Sequence, residues 1–159
     1  MKASRLIITL MLATGLYGCY SIEARYSFDS ETDFSGLSSY AWLELDKEIF
    51  STPESAEHYV SAMNEMLASK GFDLNPEDPD FQILTESVET YREKYTTLNG
   101  TVDFPKAMLR VDFLNASSGE VIYEAASDAY FDPNATQAAK NAIIDKGVKA
   151  LLSEFPPDG

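Results

Sequence analysis

Any catalytic chemistry in this chain would have to come from its acids. The 159 residues include 26 Asp and Glu but a single His, His58, and a single Cys, Cys19. Nucleophilic catalysis needs a base beside Ser or Cys, most often His, yet His58 stands alone and no Gly-x-Ser-x-Gly segment occurs. Zinc sites rest on clusters of His and Cys, which are absent, as are a phosphate loop and a dinucleotide fingerprint. The carboxylates Glu86, Asp112, Glu124 and Asp128 fall in strand-like segments and could converge on one face for acid/base hydrolysis. The Glu77-Asp-Pro-Asp80 loop could hold calcium weakly. Asp29-Ser-Glu-Thr-Asp33 starts like a calcium loop but fails: its sixth and twelfth positions are Phe34 and Tyr40 where glycine and glutamate are required. With so many acids, such coincidences are expected. The reading is therefore a non-enzyme with no catalytic residue, metal or cofactor.

Cys19 has a different chemistry. Lys2 and Arg5 form a positive start, Leu6 to Ala13 an apolar run, and Thr14 to Gly18 a short exit. That is the layout of a secretory leader. The run is far shorter than the ~20 apolar residues a bilayer-spanning helix needs. Leu16-Tyr-Gly-Cys19 resembles the bacterial lipobox, with an aliphatic residue at minus three and a small one before the cysteine. On that reading cleavage falls between Gly18 and Cys19, residues 1–18 are the leader, and 19–159 form a single periplasmic domain. The alternative is a plain leader cut elsewhere, for example after Ala24. An acylated Cys19 would carry several chains, and two or more are enough for stable anchoring in the lipid bilayer. Tyr20 follows the cysteine in place of the aspartate associated with inner-membrane retention, which points to the outer membrane, periplasmic face.

Charge agrees with an exported, soluble body. The chain has 12 basic residues against 26 acidic ones; removing Lys2 and Arg5 with the leader leaves 10 against 26, a net of −16. Such a surface repels phosphate backbones, so nucleic acid is not an expected partner.

The elements that must position these residues follow from periodicity. Alternation sets Ile22, Ala24, Tyr26 and Phe28 on one face of a first strand, and Ser39 to Leu43 form a second. Tyr40 and Trp42 share a face, expected to pack under a helix, with a ligand pocket near Trp42 as the alternative. A helix starts at Thr52-Pro53 and presents Ala56, Tyr59, Val60, Met63, Met66 and Leu67. It stops at Gly71-Phe72. His58 falls off that stripe and reads as surface. Asn75 to Asp80 is a loop. A long extended segment then runs from Phe81 toward Leu98, turns at Asn99-Gly100, and returns through Leu114. Pro105 should mark a bulge or an edge. Asn115 to Gly119 turns into a strand over 120–126, and a second helix starts near Asn134 and ends at Pro156-Pro157, presenting Ala139, Ile143, Ile144, Val148, Leu151, Leu152 and Phe155. The expected fold is α+β: a two-layer sandwich in order β-β-α-β-β-β-α, with a mainly antiparallel sheet of about five strands and two helices on one face.

Tyr91, Tyr95 and Phe104 flank the long hairpin, where a two-stranded ribbon has little core to cover them. They are the expected surface for an unknown envelope protein partner.

The lipobox, Tyr26-Ser-Phe-Asp with Asp33-Phe-Ser-Gly and Tyr40-Ala-Trp42, the Lys70-Gly-Phe72 helix exit, the Asn115 to Tyr123 hairpin and the closing Phe155-Pro-Pro157 occur in that order. Together they resemble the bacterial lipoprotein family of domain of unknown function 4136. The family's basic position before Tyr-x-Trp is Ser38 here, and the hairpin between Glu89 and Lys106 is particular to this chain. The resemblance implies a small periplasmic α+β domain on a lipid anchor and brings no enzyme activity, cofactor or ligand. The resulting expectation is an outer-membrane lipoprotein acting as a non-catalytic interaction or envelope-accessory module. The alternatives are a periplasmic small-ligand-binding module and, behind it, a carboxylate-dependent hydrolase.

Overall fold

The computed structural model of the chain describes residues 22, 24–97, 100–130 and 134–157. In chain order the elements are β1 (Ala24–Phe28), β2 (Ser39–Leu45), α1 (Pro53–Ser69), β3 (Asp73–Leu74), β4 (Phe81–Thr97), β5 (Gly100–Asn115), β6 (Val121–Tyr130) and α2 (Gln137–Leu151).

The first helix forms where its end signals place it. Thr52 is extended and its side chain accepts from Ser55 N at 3.2 Å, capping a helix whose first residue is Pro53. At the other end Gly71 takes φ +93. Gly71 N then donates to Ala68 O, and Phe72 N donates to Leu67 O at 3.1 Å. These are the paired bonds of a Schellman stop, which needs a left-handed residue that glycine adopts without strain. The second helix starts at Gln137, capped by Thr136, three residues later than Asn134; Ala139 stays exposed while Val148 and Leu151 are buried.

The fold is α+β, with both helices on one face of a single sheet whose strand order is β1-β6-β5-β4-β2-β3. Two features differ from the expected sheet. It has six strands because the short β3 adds to the edge. It is also mixed: β2 pairs parallel with both β3 and β4, while β4–β5, β5–β6 and β6–β1 are antiparallel. The physical reason is α1. A strand, a 17-residue helix and a further strand form a crossover unit, and a crossover returns the chain parallel to where it left. β1, in turn, leaves its sequence neighbour β2 and closes the opposite edge against β6.

One core lies between sheet and helices. Tyr59, Met63 and Leu67 of α1 and Val148 and Leu151 of α2 pack onto Phe81, Ile83, Val111, Phe113, Tyr123 and Ala125 of the central strands. Tyr59 OH meets Thr85 Oγ1 at 3.2 Å and Tyr123 OH donates to Leu151 O at 2.8 Å, so each helix is also pinned to the sheet by a phenol. Burial pushes both phenols well above their ordinary range, and they stay protonated. Phe155, just past α2, fills the middle of this layer. Its ring centroid lies 4.5 Å from Phe113, 5.0 Å from Tyr123, 5.2 Å from Phe72, 5.6 Å from Phe81 and 6.1 Å from Phe34.

The hairpin is longer than the sheet around it. Thr97 pairs with Gly100, so the connection is residues 98 and 99, one position earlier than the Asn99-Gly100 reading. β6 pairs with β5 only as far as Lys106↔Tyr130, and β2 pairs with β4 only up to Thr85. Pro105 therefore sits one position past the last β6 partner, on an edge where its missing donor costs no ladder bond.

Candidate functional site on the open face of the sheet

The face of the sheet away from the helices carries the charge cluster. Glu86 on β4 lies opposite Arg110 on β5, which lies opposite Ala126 on β6; one pair further along, Leu84, Asp112 and Glu124 align in the same way. All four sequence-predicted carboxylates fall on this face by register, Asp128 opposite Met108, and three of them, Glu86, Asp112 and Glu124, meet. What they meet around is Arg110. Its Nε donates to Asp112 Oδ2 at 3.0 Å and its Nη2 to the same oxygen at 2.5 Å, while Glu86 Oε2 is 3.6 Å away. The Asp112 hydrogen bond raises the Arg110 guanidinium above its ordinary value. Asp112 is only 3% exposed, and its other oxygen, Oδ1, is buried without a hydrogen-bond partner. An ion-paired carboxylate under an arginine is a counterion.

Beside this pair, Arg25 and Ser27 of β1, Met108 and Arg110 of β5, and Glu124 and Ala126 of β6 line an open cavity of about 340 Å³. Arg25 Nη2 contacts Met108 Sδ at 3.8 Å, and among the described residues no carboxylate is paired with it. Neither arginine is singled out by sequence reasoning. Their alternation with apolar neighbours on β1 and β5 is a signal for the exposed face, but only the pairing register brings them together.

Several other positions singled out in the sequence have structural partners. Asp80 Oδ2 accepts from Ser38 N at 2.8 Å, Ser39 N at 2.9 Å and both hydroxyls at 3.0 Å. The Ser38 backbone bond leads the set that holds its carboxyl below the usual range. It clamps the start of β2. Among the described residues no group of three or more His, Cys, Asp or Glu is placed to hold a metal. Trp42 Nε1 and Tyr40 OH both donate to Asn64 Oδ1 of α1, at 3.0 and 2.9 Å, which is the helix packing expected of them. His58 Nε2 lies 2.7 Å from Asp145 Oδ1, a partly exposed pair between the helices. Gly18 and Cys19 lie outside the described residues. Tyr91, Tyr95 and Phe104 have strand positions in β4 and β5, but their side chains lie outside what the structure describes. Among the described residues no helix is long and apolar enough to cross a membrane.

A six-stranded mixed sheet backed by two helices on one face, its other face charged, defines a class of small α+β domains. Within that class the chain belongs to the DUF4136 family, a domain of unknown function whose profile matches residues 24–157. No curated protein matches it. Among solved structures, a PDZ domain protein from Parabacteroides distasonis superposes with TM-score 0.61 at 11% identity, over 87% of this chain and 36% of that one. The chain thus spans about a third of that protein's length. A DUF4136 family protein from Bacteroides thetaiotaomicron gives TM-score 0.51 at 12% identity, covering 85% and 94%. The PelC dodecamer from Paraburkholderia phytofirmans gives 0.50 at 14%, covering 82% and 96%. At these identities the likeness is one of fold.

Proposed function

We propose that the protein is a lipid-anchored envelope module, held by acylated Cys19 at the periplasmic face of the outer membrane, that binds a protein partner and catalyses nothing. The observation that carries this reading is where the folded domain begins. Both the family match and β1 start at residue 24, five residues after Cys19. What precedes them has the composition of a leader and a lipobox and leaves only a four-residue tether. The non-catalytic part is supported by the pairing of Arg110 with Asp112, which commits the carboxylate at the centre of the open-face cluster to an ion pair. The open face is the surface offered to a partner; that PelC, of similar fold, is a dodecamer is in keeping with protein contact.

Intact-mass measurement of the native protein tests the anchor. The expected mass lacks residues 1–18 and gains a diacylglyceryl group and an amide-linked acyl chain on Cys19. An unmodified thiol refutes it. Crosslinking in intact membranes from Ser27 or Ala126, each changed to a photoreactive residue, should capture an envelope protein; capture equal to that from exposed Ser117 at the far turn refutes the open face as the surface.

A second reading has one observation behind it. The 340 Å³ cavity beside the uncompensated Arg25 suits a small anionic ligand. Calorimetric titration with envelope carboxylates and phosphates, lost in Arg25→Ala, would favour it.

A further inference from the structure

The N-terminal end of β1 and the tip of the β4–β5 hairpin lie at the same end of the sheet. Ala24 is level with Ser127, Ser127 with Leu109, and Leu109 with Ser87. From that level β4 continues ten residues further, to Thr97, while β1 runs back toward Cys19. At the rise of a strand the hairpin extends about 30 Å beyond Ala24. The five residues from Ala24 back to Cys19 reach at most about 17 Å when fully extended. The hairpin therefore outreaches the lipidated residue, whatever path the tether takes.

Composition along the hairpin is two-sided, and a bulge makes it so. The register shifts between Ser87 and Glu89, leaving Val88 unmatched. Before the shift, odd positions of β4 (Phe81, Ile83, Thr85) lie on the helix face; after it they lie on the open face, opposite even positions of β5. Tyr91 and Tyr95 thus occupy the same face as Val102 and Phe104, with Glu93 opposite Phe104 and Lys106 opposite Tyr91 on that face too, while Arg92, Lys94, Thr96, Thr101 and Asp103 occupy the other. Beyond Lys106↔Tyr130 no third strand among the described residues pairs with either one. A two-stranded ribbon alone in water is marginal. Charge also changes here: residues 92–106 carry Arg92, Lys94 and Lys106 against Glu93 and Asp103, in a chain that is otherwise strongly acidic.

We propose that this hairpin is a second, peptide-based contact with the same bilayer, its Tyr91/Tyr95/Val102/Phe104 face lying in the headgroup region. The inference rests on the anchor reading, because the acylated Cys19 is what brings the hairpin to lipid. An aromatic face is at home in that region; Lys106 on the same face meets anionic headgroups directly, and Arg92 and Lys94 on the back of the thin ribbon add long-range attraction where the acidic body is repelled. One lipid tether lets a domain swivel freely; a hairpin resting on the membrane fixes which way the open face looks.

The test uses the full lipidated chain in vesicles of phosphatidylethanolamine and phosphatidylglycerol. Cys19 is the only cysteine and its sulfur is blocked by acylation, so Tyr95→Cys, Val102→Cys, Thr96→Cys and Ser117→Cys each offer one thiol for a polarity-sensitive fluorophore. Lipids spin-labelled near the headgroup should quench positions 95 and 102 several-fold more than 117, and more than 96. Circular dichroism checks that each variant is folded, and positions 95 and 102 check one another. Equal quenching at all four positions, in protein that floats with vesicles and has acylated Cys19, overturns the inference and leaves the anchor reading standing. A 95-to-95 crosslink between copies, with probes shielded in detergent alone, overturns it in favour of self-association. A free thiol at Cys19 in the purified native protein sinks both.

Discussion

Phe155 stands four residues past the end of α2, in a Phe-Pro-Pro segment that would look like a tail in most chains. In this fold it is 1% exposed and touches five aromatic rings drawn from β4, β5, β6, the Gly71-Phe72 helix exit and the turn at Phe34. Truncating a buried Phe to Ala costs about 3–5 kcal/mol, from lost transfer energy and the cavity left behind. Here the upper half applies, because the surrounding rings belong to five separate parts of the chain and cannot all move inward together. Taking about 4 kcal/mol and a urea slope of about 2 kcal/mol per molar, the unfolding midpoint of Phe155→Ala should fall by about 2 M. Phe155→Leu, which keeps most of the volume, should lose only about 1–2 kcal/mol. The assay is urea unfolding followed in parallel by Trp42 fluorescence and far-ultraviolet circular dichroism; Trp42 sits on β2, away from the substitution, and so reports global unfolding. A double-mutant cycle with Phe113→Leu should return a coupling of about 0.5–1.5 kcal/mol for the edge-to-face pair at 4.5 Å. A loss below about 1 kcal/mol for Phe155→Ala, the value of a frayed terminal residue, would refute the placement of the C-terminal segment as core.

Three other substitutions probe separate parts of the argument. Asp80→Asn removes the charge that gathers Ser38 and Ser39 and should cost about 1 kcal/mol at pH 7, reduced by the site's partial exposure. Since the folded-state carboxyl is held below its unfolded value of 3.8, that stabilisation is complete above about pH 5 and is lost as pH falls through the folded pKa. The gap between wild type and Asp80→Asn, measured by urea unfolding, should therefore close between pH 5 and pH 2; a constant gap counts against the clamp. Gly147 is an interior residue of α2 with nothing within 4 Å of an added Cβ, so Gly147→Ala should stabilise by about 0.5–1 kcal/mol, read as a higher melting temperature. Arg110→Met strands the buried Asp112 charge and should cost about 2–3 kcal/mol, tempered because Arg110 is itself about one-third exposed. Adding Asp112→Leu should recover most of the loss, and a double variant no better than the single one would show that the pair is not what Arg110 supplies.

Much of this fold was legible because its signals are local. Thr52-Pro53 and Gly71-Phe72 bound α1 within a residue, and the Tyr40/Trp42 pair packs under that helix because both alternate on one strand. The Asn115 to Gly119 turn closes as read, with Asn115 Oδ1 accepting from Ser117 and Ser118 and Gly119 at φ +74. What could not be read is pairing between distant strands. Nothing in Ala24 to Phe28 says that its partner is β6 and not the next strand along. β3 is two residues long, too short for periodicity to register. The same limit hid Arg25 and Arg110: each is an ordinary exposed strand residue until three strands lie side by side.

Val88 shows how one unmatched residue alters a functional reading. A strand's side-chain period is two, so a straight β4 would carry Tyr91 and Tyr95 onto the helix face with Ile83 and Thr85, opposite in side to Val102 and Phe104. The aromatics would then be split across the ribbon, and neither face would offer an apolar surface to anything. One extra residue at the bulge moves the register by a step, and the two tyrosine positions join Phe104 on the open face. The bulge also falls where β2 has ended and β6 is about to end, so the switch comes where the hairpin leaves the sheet. Within the sheet, the alternation of β4 serves the core; beyond it, the same alternation serves whatever the hairpin meets. Deleting Val88 should therefore straighten β4 without changing its partners, Glu89 still opposite Met108 and Tyr91 still opposite Lys106, so Tyr91 and Tyr95 stay on the open face and spin-label quenching stays stronger at position 95 than at position 96; quenching that passes to position 96 refutes the register.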